Sequence, residues 1–165
     1  MTAKDPETLN GIRDDCARLN PQCNIQLEEC DTSNAGSVSQ LATNIETVQG
    51  RLHGVILSAG YSVPVHADVV KGDAQTFKQV TEMNYLGKYH AAHYLLPYMV
   101  DTVPPGNSAK AFLVVGSTAS FVVAGPIANT QHCVSKLAQL RLIEHIDQQY
   151  RDRGAFYSLR YIVAS

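Results

Sequence analysis

The run Val55-Ile56-Leu57 is apolar without interruption and stops in Ser58-Ala59-Gly60; Ala111 to Val115 repeats the pattern and stops in Gly116-Ser117. A strand wetted on one face alternates apolar with polar residues, whereas a strand buried on both faces does not. Around these runs the spacing is helical. Leu9, Ile12, Cys16 and Leu19 follow Asp5-Pro6, a cap residue with proline at the first helical position, and Asn20-Pro21 ends that helix. Val38, Leu41, Ile45, Val48 and Leu52 mark a second helix, stopped near Gly50. A long helix is expected from about Ala74 to Met99, its last turn disturbed by Pro97, and another from about Gln131 to Arg151. Strand signals cover Ile25 to Asp31 and Phe156 to Val163, and turns fall at Pro64, Pro104-Pro105-Gly106 and Gly125-Pro126. Strands alternating with helices predict an α/β fold, a parallel sheet covered by helices on both faces.

The 165 residues, 45% hydrophobic and 17% charged, suit one domain with a packed core, read as 1–165. A formal net charge of -2 leaves no electrostatic footprint for nucleic acid or an anionic membrane. The charged start MTAKDPETLN lacks the apolar core of a secretory signal, and no run approaches the roughly 18 apolar residues of a spanning helix. A cytoplasmic, reducing location is the expectation. The four cysteines include no Cys-x-x-Cys pair, and His90 and His93 have no carboxylate at matching spacing, so no metal site is expected.

Ligands of parallel α/β sheets sit at the carboxyl ends of the strands, and Asp31, Gly60 and Ser117 each lie at such an end. His132 and Lys136, four apart, project from one face of the helix that follows Ser117. Asn84 sits within the long helix on the side of Val80, Gly87 and Ala91, where a polar amide needs a partner. Read without relatives, these residues are equally a capping serine, two solvated side chains and a core amide.

Taken together they resemble the short-chain dehydrogenase/reductase family, its fungal members in particular. "RLHGVILSAG" resembles the family's fourth strand with its Asn-Asn-Ala-Gly ending, and "VTEMNYLGKYHAAHYLLPYM" the interface helix bearing the active-site Asn. "AFLVVGSTAS" resembles the strand presenting the catalytic Ser, "HCVSKLAQLRLIEHI" the helix of the Tyr-x-x-x-Lys pair, and "EECDTSN" the segment whose Asp meets adenine. The resemblance implies a Rossmann-like fold and NADP- or NAD-dependent oxidoreduction of a small carbonyl or alcohol, with secondary metabolism as the setting. It assigns Asp31, Ser58, Gly60 and Lys136 to the cofactor. Asn84 would hold a relay water, Ser117 orient the substrate carbonyl, and His132 stand where the family has its proton-donating Tyr. It also implies pairing, with itself or with a full-length relative, and apolar residues offered for that are Phe77, Val80, Leu95 and Leu96, then Val134, Ala138, Leu142 and Ile146.

Departures from the family pattern are as informative. Leu57 and Ser58 replace its two Asn, and Gln131 and Cys133, beside His132, cannot do a phenol's work. Ser120 is an alternative to Ser117. No Gly-x-x-x-Gly-x-Gly occurs, so the first strand-turn-helix unit, whose amides cradle the pyrophosphate, is expected to be lacking, as is the substrate lobe beyond Ser165. Weak dinucleotide binding follows. The other readings are a catalytically impaired remnant serving as an interaction protein, or a cofactor-independent isomerase or cyclase with His132 as acid and base.

Overall fold

The computed structural model describes residues 1–48, 50–62, 69–70, 72–100, 110–123, 129–150 and 158–164. The turns expected at Pro64, Pro104-Pro105-Gly106 and Gly125-Pro126, and the expected element ends Arg151 and Phe156, lie outside these residues. Strand β1 (Thr2–Ala3) leads into α1 (Pro6–Leu19), then β2 (Glu28–Glu29), α2 (Ala35–Val48) and β3 (Gly54–Leu57). The long helical region is three pieces, α3 (Ala74–Thr81), α4 (Gly87–Leu95) and α5 (Pro97–Val100), with a π-helical turn, Glu82–Leu86, between the first two. Strand β4 (Ala111–Ser117), a 3-10 turn (Thr118–Ser120), α6 (Thr130–Tyr150) and β5 (Ser158–Ala164) complete the order.

All strand pairs are parallel. β3, β4 and β5 form one sheet in that order, with Val55 opposite Phe112 and Leu57 opposite Val114. β1 pairs with β2 as a separate ribbon. The expected strand Ile25 to Asp31 therefore shrinks to two residues, because its partner Thr2–Ala3, a strand the sequence did not announce, pairs only Glu28 and Glu29. Between ribbon and sheet runs a cleft of about 580 Å³, lined by Met1, Thr2, Cys16, Ile25, Leu41 and Ile56 among others.

The core lies on one side of the sheet. Val55, Leu57, Phe112 and Val114 pack with Ala91, Ala92 and Leu95 of α4, Met99 of α5, Ile143 and Ile146 of α6 and Ala42 of α2. On the opposite side Ile56 is 68% exposed. The stripe on α1 has the expected period, yet only Leu9 is buried and Leu19 is open to solvent. Of this stripe Cys16 borders the cleft.

Asp5 caps α1 by accepting from the amides of Glu7 and Thr8, as Asp5-Pro6 led one to expect. The apolar surface expected for pairing is partly core. Val80, Leu95, Leu96 and Ile146 are buried, whereas Phe77 and Val134 remain exposed and are joined by Leu137. A face of this kind is reached by period alone, and the period does not say which side of the helix meets the sheet.

This lopsided packing gives a direct expectation. Phe112→Ala, at the fully buried centre, should cost about 3–5 kcal/mol in urea unfolding, while Ile56→Thr should change stability by less than about 0.5 kcal/mol.

Candidate functional site

At the end of β3 the chain turns through Ser58, Ala59, Gly60 and Tyr61, all exposed. Beneath that turn lies Asn84, fully buried at the middle of the π-helical turn. A π turn inserts one residue into the helical ladder and redirects the side chains it carries. Here it aims a single amide at a single backbone residue. Asn84 Oδ1 accepts from Tyr61 N at 2.8 Å, and Asn84 Nδ2 donates to Tyr61 O at 2.8 Å and to Ser135 Oγ at 3.0 Å. Both amide hydrogens are thus engaged within the protein.

The same helix is held close to the end of β2 by Gly87. A Cβ there would lie 3.1 Å from Thr32 Oγ1 and 3.3 Å from the Thr32 carbonyl, so any side chain would push the two segments apart. His90 Nδ1 lies 3.1 Å from the same carbonyl.

From α6 come His132 and Lys136. The His132 ring lies near the Tyr61 carbonyl, which accepts from Asn84. His132 Nδ1 is buried without a partner among the described residues. Burial holds the imidazole below its usual value, the Tyr61 carbonyl pulls the other way, and the charge of Lys136 adds to the lowering. At neutral pH the ring is neutral.

Lys136 is 6% exposed and donates to the Val115 carbonyl at 3.3 Å, where Gln139 Nε2 also donates at 3.1 Å; burial lowers its ammonium. Gly60 matters here for want of a side chain. A Cβ on it would stand 3.4 Å from Asn84 Oδ1 and 3.5 Å from Lys136 Nζ, so the backbone beside the ammonium stays open.

Asn84, His132, Lys136 and Gly60 therefore meet around one turn. Among the described residues, three other expected residues make no hydrogen bond with that cluster. Asp31 accepts from Ser33 N at 3.0 Å and Ser33 Oγ at 2.6 Å and pairs with Lys4 at 2.8 Å; the Lys4 contact, then Ser33, holds its carboxyl below the usual range. Ser58 is exposed on the turn itself. Ser117 Oγ accepts from Ala119 N at 3.2 Å and so caps the 3-10 turn, which leaves its O–H available to donate. Ser120, the alternative, is buried and gives its hydroxyl hydrogen to the Lys136 carbonyl at 3.1 Å.

Sequence reasoning missed Lys88. It follows Asn84 by one helical turn, is 1% exposed, and donates to the Ala59 carbonyl. Burial, with Lys136 acting in the same sense, pushes its ammonium from 10.5 down to about 8. The signal was present: Lys88 shares the buried face of Asn84 and Ala91, where a charged residue has no ordinary place.

A pH dependence follows. The unfolded chain holds the Lys88 proton below 10.5 and the folded chain only below about 8, so in between the unfolded state binds more protons and stability rises with pH. Below about 8 both states are protonated and the folded state carries the whole cost, about 3 kcal/mol for a displacement of that size. Lys88→Met should accordingly be more stable than wild type near neutral pH. Urea unfolding at several pH values should show that advantage shrinking as the pH climbs from about 8 toward 10.5.

A family profile described as Enoyl-(Acyl carrier protein) reductase matches residues 8–154. Short chain dehydrogenase pgmD of Aspergillus terreus (strain NIH 2624 / FGSC A1156) is 30% identical over 115 residues, covering 66% of this chain and 35% of its own length. Among solved structures, gox2181 superposes with a TM-score of 0.82 at 14% identity, covering 93% of this chain and 56% of its own. Levodione reductase gives 0.82 at 16% identity, covering 92% and 56%, and Pseudomonas aeruginosa RhlG in its NADP complex gives 0.78 at 20%, covering 93% and 57%. At such identities the structural likeness is one of fold, the Rossmann-like α/β fold. The chain spans about a third of the length of the curated relative and little more than half of these structures. With the family profile covering most of its residues, the chain belongs to the short-chain dehydrogenase/reductase family of oxidoreductases.

Proposed function

We propose that residues 1–165 form one partial dinucleotide-type domain that exchanges hydride between NADP or NAD and a small alcohol or carbonyl. The observation that carries this reading is the convergence of Asn84, His132 and Lys136 on the exposed turn around Gly60. The residues fit the nicotinamide end of such a cofactor. Lys136 and the open backbone at Ser58 and Gly60 would hold its ribose, and Asp31, with its carboxylate charged, would meet adenine. The pyrophosphate has no glycine-rich cradle in this sequence, which supports weak binding. When bound, the nicotinamide supplies or accepts hydride.

The remaining chemistry falls to the chain itself. A neutral His132 begins as a proton acceptor, the role it would take when an alcohol is oxidised. Ser117, with its O–H unengaged, orients the substrate oxygen. Asn84 acts as a positioning residue through Tyr61. Among the described residues no helix is long and apolar enough to cross a membrane, and a cytoplasmic setting is proposed. Phe77, Val134 and Leu137 support self-pairing, and the Aspergillus relative supports a fungal-type short-chain dehydrogenase. RhlG is the neighbour bound to NADP.

The test is an assay of nicotinamide redox change with wild type, His132→Ala and His132→Tyr, on a panel of small secondary alcohols and ketones. Dinucleotide should bind with a dissociation constant of about 1 mM or weaker. Turnover should vanish in His132→Ala and rise in His132→Tyr, whose longer phenol places an acid-base group further out. Absence of dinucleotide-dependent turnover in both wild type and His132→Tyr would overturn the reading.

A further inference from the structure

We infer that Lys88 is a positioning residue for the turn around Gly60: by holding the Ala59 carbonyl it keeps the backbone on both sides of Gly60 in the form that receives a dinucleotide. What the turn receives rests on the oxidoreductase reading; what holds the turn rests on the geometry.

The turn from Ser58 to Tyr61 is exposed and follows a strand of only four residues, so hydrogen bonds rather than packing must set its shape. Two residues one helical turn apart reach it from the buried side. Asn84 holds the N–H and the carbonyl of Tyr61, and Lys88, the second residue of α4, donates to the carbonyl of Ala59. Gly60 lies between the two residues so held, and a Cβ on it would stand 3.4 Å from Asn84 Oδ1. Asn84 alone pins the turn at one end and leaves Ala59 its own backbone freedom. The Lys88 contact removes that freedom at the other end.

Lysine is an unfavourable residue for this place, and that is what marks it. Lys88 is 1% exposed. The ion pairs among the described residues involve Lys4, Arg13, Arg18, Lys78 and Arg141, so no described carboxylate pairs with Lys88. Its neighbours along the helix, Ala91, Ala92 and Leu95, are buried and apolar, and an apolar side chain would extend them without burying a charge. Packing therefore gives no reason for an ammonium at this position. A turn carbonyl that needs a donor does.

Methionine fills a similar volume and cannot donate, so Lys88→Met separates two properties that a purely structural residue moves together. Near pH 7 three readouts are compared with wild type: urea unfolding, hydrogen exchange of the Tyr61 amide, and titration with NADPH and NADH followed by nicotinamide fluorescence. Stability should rise, while Tyr61 exchange accelerates at least about tenfold and dinucleotide affinity falls about tenfold. Unchanged Tyr61 exchange overturns the inference, as does wild-type affinity with Tyr61 released. Equal acceleration at Tyr61 and at the Phe112 amide in the sheet marks a merely structural residue and overturns it too. If wild type binds neither dinucleotide and Lys88→Met still releases Tyr61 alone, the hold on the turn is supported and the oxidoreductase reading falls instead. Should Lys88→Met fail to fold, wild type decides: Lys88 should resist reductive methylation at least about tenfold longer than the exposed Lys78, and methylation at the Lys78 rate overturns the hold.

Discussion

The arrangement rests on one side chain reading one backbone residue. Asn84 satisfies both the N–H and the carbonyl of Tyr61, each at 2.8 Å, and no other described contact holds that exposed turn from both sides. With Tyr61 fixed, Ala59 and Gly60 are held over Lys88 and Lys136. A buried amide that finds all its partners is stabilising, and one that loses them is costly, so the turn and the helix stand or fall together.

Placing that amide required two local departures from regular structure. The π turn at Glu82–Leu86 swings Asn84 toward the strand ends, and Gly87 immediately after it lets the helix approach Thr32 closely. Helix α6 then closes the cluster from the other side, with Gln131, Ser135, Gln139 and Ile143 buried along the face that carries Lys136. The price is two ammonium groups and an unpartnered imidazole nitrogen out of water. Such a concentration of unfavourable burial in one spot is the usual mark of a site kept for binding or chemistry rather than for stability.

Much of the framework was legible in the residues. Val55-Ile56-Leu57 and the run from Ala111 are parallel neighbours as expected, and the helices at Pro6, Ala35 and Thr130 begin close to their sequence signals. What escaped was decided by tertiary contact. Thr2–Ala3 is too short to show a period, and the strand expected from Ile25 could not know how little partner it would find. The π turn has no sequence signature of its own, and Asn84 at its centre meets Tyr61. Of the candidate site, Asn84, His132, Lys136 and Gly60 are named by position and meet in space, Ser58 lies exposed on the same turn, and Asp31 and Ser117 make their hydrogen bonds to Ser33 and Ala119. Lys88 was passed over because lysine is by default a solvated residue, and only burial from two helices makes it otherwise.

Hydrogen exchange at the Tyr61 amide tests the central interaction most directly. An exposed turn residue exchanges near its intrinsic rate unless its N–H is held. Asn84 Oδ1 should slow Tyr61 by at least about a hundredfold in wild type, and Asn84→Ala should release it while the Phe112 amide in the sheet stays protected. A Tyr61 amide that exchanges at its intrinsic rate in the wild-type chain would contradict the arrangement.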